Sequence, residues 1–419
     1  MRRNQKRRVV VTAMGVVCAI GGTLAEFRRR LFAGRCGIDR LTLFDTTGFS
    51  CGAAGQVHGD FNRRLGPHEV RRTSRCDRLG LVAAAEAVAN AGEGLFDHRR
   101  ETAGVVFGGG AGGMLSWETF RRTLWREGKA RHPALVLAAA PCTLTDLVAN
   151  KYGITGPRTT ISTACSSSAN AIGYAFDLIQ SGALDLVITG GSEALSEMTF
   201  AGFHALKVMA PDPCRPFDAA RRGLSLGEGA GMLILEERDR ARRRGAAMLA
   251  EVLGYGINAD AYHMTSPDPE ASGMSAVMRQ ALVRAGVAEE DIDYINAHGT
   301  ATRINDRMEA LAIGNVFGPR GRRELMVSST KSMIGHCLGA SGALEAVATV
   351  LALHAQTVPP TANLTTPDPE CGLQKLPATA IRHPIAHALS NSFAFGGNNT
   401  AVLFRRAQTA ADSRAPEAG

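Results

Sequence analysis

Apolar residues in this chain gather into short blocks that glycines interrupt or follow. VVVTAMGVV (9–17), AGVVF within ETAGVVFGGGAGG (101–113) and LDLVITGG within LDLVITGGSEAL (184–195) are of this kind. The first predicts a buried strand, the second a strand ending in a Gly turn, and the third a strand with a central Gly-Gly. Between them lie longer stretches with helical spacing, RLGLVAAAEAVANAG (78–92) and GMSAVMRQALVRAG (273–286). The pattern occurs twice. ETAGVVFGGGAGG is echoed by DIDYINAHGTATR (291–303). TTISTACSSSANAIGYAFDLIQSG (159–182) is echoed by MVSSTKSMIGHCLGASGALEAVATVLAL (326–353), each a short strand, a small-residue turn and a long helix. LDLVITGGSEAL is echoed by HALSNSFAFGGNNTAVLF (387–404), read as a strand with a central Gly-Gly. The expectation is two α/β halves of similar design meeting face to face. Their seam falls near Glu237–Glu251, where ERDRARRRG leads into AEVLGYG. Residues 1–250 form one half and 251–405 the other, and 406–419 have the composition of a disordered tail.

Length and composition fit that design. A chain of 419 residues with 45% apolar and 21% charged content can bury a large core, and 47 glycines suit tight turns and close helix–sheet contacts. The basic start, MRRNQKRR before VVVTAMGVVCAIGG, imitates a signal peptide. Thr12, Gly15, Gly21 and Gly22 interrupt its apolar run, so a first buried strand is the better reading. No run approaches the ~20 apolar residues of a membrane span. Nine cysteines, an odd number at irregular spacing with no CxxC pair, argue against a disulfide framework or a zinc site and for a reducing cytoplasm. Net charge is +8, with bases clustered at 28–30, 71–78, 121–131, 238–244 and 320–323. No nucleic-acid motif accompanies them. They are either a solvated surface or a docking face for an acidic partner.

The candidate chemistry sits on the turns. Cys165 stands at a strand–turn–helix joint, where free helix N–H groups favour a thiolate and the small residues Ala164, Ser166, Ser167 and Ser168 let a substrate approach. A cysteine nucleophile wants imidazole nearby. Of eleven histidines, His298 in NAHGTATRIND and His336 in STKSMIGHCLGASG occupy matching turns of the second half, and both are expected to project from strand ends. FAFGGNN (393–399) adds a Gly-rich turn whose amides could serve an oxyanion hole.

TACSSS, NAHGTAT…ND, STKSMIGH…GASGALE and NSFAFGG, in this order, resemble the β-ketoacyl-[acyl-carrier-protein] synthases. The likeness is closest to synthase II and its relatives in type II polyketide and polyene systems, and it runs from RRVVVTAMGVV to Phe404 through CRPFDAARRGLSLGEGAGMLILEE and AYHMTSP. The resemblance implies a thiolase fold, two pseudo-duplicated halves in five α/β/α/β/α layers. It implies an acyl-accepting Cys165, a His298–His336 pair, a supporting pair in Lys331 and Glu345, and an Asp306 carboxylate behind them. It further implies an oxyanion hole from the amides of Cys165 and of a gating Phe395. Substrate contacts would come from Thr300, Thr302, Ala111, Phe203 and Phe393, with Ala111 on the turn that narrows the acyl tunnel. The implied reaction joins an acyl-Cys165 intermediate to malonyl-carrier protein with loss of CO₂, either in fatty-acid elongation or in a type II polyketide or polyene pathway. No metal, nucleotide or redox cofactor is implied, since phosphopantetheine arrives on the acyl carrier protein. A homodimer is implied, with a heterodimer containing a chain-length-factor-like subunit as the other arrangement, and Lys207 as a docking cation.

Other readings part company at particular residues. Synthase III and chalcone-type enzymes carry Asn where His336 stands. Degradative thiolases need a late second cysteine, and none follows Cys371. A chain-length-factor-like protein lacks the nucleophile. A cysteine hydrolase would not need two matched histidines or tandem halves. A non-catalytic binding protein would fail to trap an acyl group. Three positions depart from the family pattern: FGGNN for FGGTN, RIND after the first histidine, and the small Ala111.

Overall fold

A computed structural model of the chain describes residues 6–96, 100–131 and 133–407. The tail expected at 406–419 lies outside the described residues from 408 onward. In the first half five strands line up: β1 (Val9–Cys18), β2 (Ala103–Gly108), β3 (Arg158–Ile161), β4 (Leu186–Glu193) and β5 (Gly229–Glu237). In the second half β6 (Ala250–Ala259), β7 (Tyr294–Asn296), β8 (Met326–Ser328), β9 (His387–Phe393) and β10 (Asn398–Arg406) repeat them. Sheet order is β1-β5-β4-β2-β3 and β6-β10-β9-β7-β8. Pairing sense repeats too: β2 runs parallel to β3 and β4, as β7 does to β8 and β9, and the remaining neighbours are antiparallel. The two sheets join where Val9–Val11 pair with Ala250–Val252.

Helices also repeat: α1 (Arg75–Ala91), α2 (Thr143–Tyr152) and α3 (Ser167–Gln180), then α4 (Ser272–Ala285), α5 (Arg303–Arg323, broken at Gly318–Pro319) and α6 (Ser341–Ala355). α3 and α6 lie against each other and against strands of both sheets; α1 and α2 cover one outer face, α4 and α5 the other. These are the five layers of the thiolase fold. Burial on both faces explains the apolar strands, and every residue of β1 is buried. It also explains the stretch Leu338–Ala355, a 3-10 turn and α6, which is long and apolar enough to cross a membrane by composition, yet buried from Ser341 to Leu353 as the central helix.

Close approach depends on glycines at two contacts that set the site. A Cβ at Gly342 would come 2.7 Å from Ala169 N, so α6 can lie directly on α3. One at Gly108 would come 2.2 Å from Ser168 N, so β2 ends against the start of α3.

One echo needs correction. HALSNSFAFGGNNTAVLF is two strands, β9 and β10, with Gly396 and Gly397 in the turn between them. In the first half Gly190 and Gly191 lie inside β4, and its antiparallel partner β5 follows only after a long excursion. The Gly-Gly pairs look alike in sequence but play different parts.

Candidate active site

Cys165 sits between β3 and α3, two residues before the helix begins. The chain turns sharply there because Ala164 has φ 52°, a conformation that costs an alanine roughly 1–2 kcal/mol. The following serines, chosen above for small size, act through their hydroxyls. Ser166 Oγ donates to Thr163 O (2.9 Å) and Ser167 Oγ to Ala164 O (2.6 Å), closing the elbow. Ser168 Oγ accepts from Ala343 N at 2.9 Å, tying the elbow to α6. Burial pushes the Cys165 thiol up to about 11, against the Lys331 charge and the amides of Phe395 and Cys165. The helix start alone therefore does not make a thiolate: desolvation is the larger effect.

The histidines reach the sulfur from the second half. His336 Nε2 lies 3.0 Å from Cys165 Sγ, and the two imidazole rings meet edge to face at 5.4 Å. His298 stands two residues after β7, as expected. His336 does not project from a strand end. It sits in the loop between the short helix Lys331–Ile334 and α6, eight residues past β8, fixed by its amide to Ser225 O (2.7 Å). In the repeat this loop is the counterpart of the Cys165 elbow, so nucleophile and second histidine occupy equivalent joints of the two halves.

Outer nitrogens decide where the ring protons lie. Leu338 N donates to His336 Nδ1 at 3.3 Å, and a backbone amide can only donate. Lys331 Nζ, likewise donor-only, lies 3.1 Å from His298 Nδ1. Both neutral rings therefore carry their proton on Nε2. Burial, then the Lys331 charge, holds both well below the ordinary histidine range. Lys331 is itself buried, bonded to His298 O at 2.6 Å and paired with Glu345. Burial pushes the Glu345 carboxyl up and the lysine opposes it. Cys165, His298 and His336 each offer a ligand atom within 4.8 Å of the others, a spacing three zinc ligands could share. The tautomers oppose that use, since the inner nitrogens present protons rather than lone pairs.

These groups open into a cavity of about 290 Å³. Thr300, Thr302, Phe203, Phe393 and Phe395 line it with Cys165 and both histidines. Thr300 and Thr302 hydroxyls lie 3.0 Å apart, and Phe395 stacks on Phe203 at 5.8 Å. Asp306 stands behind the wall: its carboxylate accepts from Ala301 N (3.0 Å) and Phe217 N (2.7 Å), fixing the threonine turn. Ala111 is not among the residues lining this cavity. Its amide donates to Glu193 Oε1 at 2.9 Å, in the turn that follows β2.

Lys207, Arg222 and Arg303 are exposed cations on the cavity rim. The cluster at 238–244 is put to another use in part, because Arg240 and Arg244 close on the buried Glu236. Sequence reasoning missed Glu193, Glu309 and Ser341. Glu309 accepts from the amides of His298 (2.9 Å) and Gly299 (2.8 Å), and Ser341 Oγ lies 2.9 Å from His336 Nδ1. Nothing local distinguishes Glu309 and Ser341 from helix-surface residues, or Glu193 from an ordinary carboxylate at a strand end. The AYHMTSP stretch did carry a signal, and it supplies Thr265, Ser266 and Pro267 to the cavity wall.

The family models for the N-terminal and C-terminal domains of beta-ketoacyl synthase match residues 6–241 and 249–365. The chain belongs to the β-ketoacyl synthase family. It is 39% identical over 411 residues to a 3-oxoacyl-[acyl-carrier-protein] synthase 2 of Staphylococcus aureus (strain N315), covering 96% of this chain and 99% of the relative. Among solved structures it resembles the ishigamide ketosynthase/chain length factor (TM-score 0.90, 35% identity, 96% of this synthase and 100% of that chain). It also resembles a type II polyketide ketosynthase in complex with its acyl-carrier protein and bound to the hexaketide (TM-score 0.87, 32% identity, 96% and 100%).

Proposed function

We propose that this synthase joins an acyl group held on Cys165 to a malonyl unit held on acyl carrier protein, elongating the chain by two carbons. The contact that carries the reading is Cys165 Sγ at 3.0 Å from His336 Nε2, beside a second imidazole whose proton is also on Nε2. In the first stage Cys165 sulfur attacks the acyl thioester. The acyl group moves to Cys165, and the thiol proton leaves with the carrier's thiol. Amides of Cys165 and Phe395, which already favour negative charge at the sulfur, hold the tetrahedral oxyanion. In the second stage malonyl carrier protein enters and loses CO₂. The resulting enolate oxygen is met by Nε2–H of His298 and of His336, donors in place before the charge develops. The enolate carbon attacks the acyl carbonyl, the C–S bond breaks, and Cys165 regains a proton from solvent.

Lys331, kept by Glu345 against His298 Nδ1, orients one donor, and Asp306 and Glu309 hold the turn that bears it. Thr300 and Thr302 receive the phosphopantetheine arm, and no other cofactor takes part. Phe203 and Phe393 shape the wall, and Phe395 gates it. The acidic carrier docks over Lys207, Arg222 and Arg303. The protein works as a dimer of like chains in the cytoplasm, in keeping with nine free cysteines. Ala111 remains assigned to the acyl tunnel, beside rather than within the cavity.

Fatty-acid elongation is the main reading, on the strength of the synthase 2 relative. The polyketide or polyene reading, with a chain-length-factor-like partner, has specific support in the two solved structures. Incubation with a ladder of acyl carrier proteins and malonyl carrier protein, followed by mass spectrometry, tests both. Saturated products of ordinary length favour the first, and acceptance only of oxidised or unsaturated chains favours the second. Absence of any β-ketoacyl product overturns the proposal.

A further inference from the structure

We infer that Ser341 is a positioning residue for His336: its hydroxyl holds the ring turned and keeps the Nε2 proton aimed at the reacting centre. The inference rests on the condensation reading above and concerns a residue that reading does not use. Ser341 is the first residue of α6, and its Oγ lies 2.9 Å from His336 Nδ1. It is 1% exposed, so its hydroxyl is directed by protein neighbours rather than by bulk solvent. Its place is rigid, because Gly342 packs against Ala169 and Ala343 N is held by Ser168 Oγ at 2.9 Å.

Two donors thus converge on one lone pair. Leu338 N is the longer, at 3.3 Å, and fixes only which nitrogen is protonated. The hydroxyl is shorter and can swing, and its O–H pointed at Nδ1 withdraws electron density from the ring. That makes Nε2–H a stronger donor to an oxyanion and opposes a second ring proton. The two histidines are therefore polarised by different means. An ammonium stands behind His298, and a hydroxyl and an amide stand behind His336. Among the described residues, the charged or titratable groups around His336 are Cys165 at 3.0 Å, the His298 ring at 5.4 Å, Lys331 with its partner Glu345, and the adjacent Cys337, whose sulfur contacts Ile334 O and Gly335 O instead. Glu193 stands behind the same loop through Gly339 N at 3.2 Å. None of them faces Nδ1 as Ser341 does.

Ser341→Ala removes one hydroxyl and leaves the helix start intact. Decarboxylation of malonyl carrier protein should slow about 3- to 10-fold, the worth of one hydrogen bond. Acyl transfer to Cys165, which does not need the Nε2–H donor to an enolate, should stay within about twofold. With one donor fewer on Nδ1 the imidazolium form becomes easier to reach. The acid limb of the decarboxylation profile should then move to higher pH by about half a unit, or about threefold in the protonation equilibrium. Equal loss in both half-reactions, or an unmoved acid limb, would overturn the inference. Long-range ¹H–¹⁵N spectra of histidine-labelled protein read the same point without catalysis. His336 should be the Nε2–H tautomer in the wild type and should protonate at higher pH in Ser341→Ala. An identical titration in both would sink the assignment even if the enzyme condenses normally. If the wild type neither acylates nor decarboxylates while the spectra differ as expected, it is the condensation reading that fails.

Discussion

Cys165 is one of seven buried cysteines, and among the described residues it is the one with an imidazole nitrogen at 3.0 Å, in the wall of the active-site cavity. Cys337, one residue from His336, is fully buried, and its sulfur makes long contacts to Ile334 O and Gly335 O. Incubation with acyl carrier protein should therefore add one acyl mass, on the Cys165 peptide alone, and Cys165→Ser should abolish it. Acyl mass on Cys337 in either protein would contradict this. The histidines should matter mostly after that step. Removing one pre-organised donor to an oxyanion costs ~3–4 kcal/mol, or ~10²–10³ in rate. His298→Ala and His336→Ala should each slow CO₂ release by that order, while His336→Ala still acylates. Release at the wild-type rate by both variants would refute the roles. Because both rings are held neutral to well below the ordinary value of 6.5, CO₂ release should show no histidine acid limb above that pH. A rate that falls with an apparent pKa of 7 would mean that one ring is normally charged.

At the scale of elements, the repeat explains why the site exists where it does. Each half ends its second strand in a turn lying over a buried carboxylate. Glu193 accepts from Gly110, Ala111 and Gly112, and Glu309 from His298 and Gly299. Burial pushes both up to about 7, against those amides. Glu309→Ala would leave two buried amides unpartnered, at ~1–3 kcal/mol each. The urea midpoint should fall clearly, and less in Glu309→Gln, which keeps an acceptor. An unchanged midpoint in Glu309→Ala would show that water replaces the carboxylate. Strands, helices and the doubled order were legible because burial on both faces writes itself as apolar blocks. Cys165, His298 and His336 were legible because Gly/Ser/Thr turns flank them. Glu193, Glu309 and Ser341 were not, because their partners are amides and a ring brought near only by folding. The β9–β10 hairpin was missed because its Gly-Gly turn imitates the glycines inside β4. His336 was misplaced because Lys331–Ile334, a single turn of helix, intervenes after β8.

For the molecule as a whole, the two sheets of the doubled fold share three residue pairs, Val9–Val11 with Ala250–Val252. Glu251 lies in the seam they form, 5% exposed. Arg8, just before β1, donates Nε to its Oε1 at 2.6 Å, and Arg405 of β10 reaches Oε2 at 2.5 Å. One carboxylate thus ties the first strand of one half to two strands of the other. Burial works against its charge, but the hydrogen bonds and charges of Arg8 and Arg405 prevail and hold its pKa below the usual 4.5. A carboxylate with a depressed folded value stabilises above its unfolded pKa, and that stabilisation is lost as pH falls through the folded one. Both arginines keep about a third of their side chains in water. The loss on Glu251→Gln is therefore discounted to ~1–3 kcal/mol, below the ~3–5 kcal/mol of a fully buried pair. The variant should melt several degrees lower than the wild type at pH 7. The gap should narrow as pH is taken from 5 to 3, because the wild type then loses the same charge. A gap that stays constant across that range would show that Glu251 holds the seam by packing rather than by its charge.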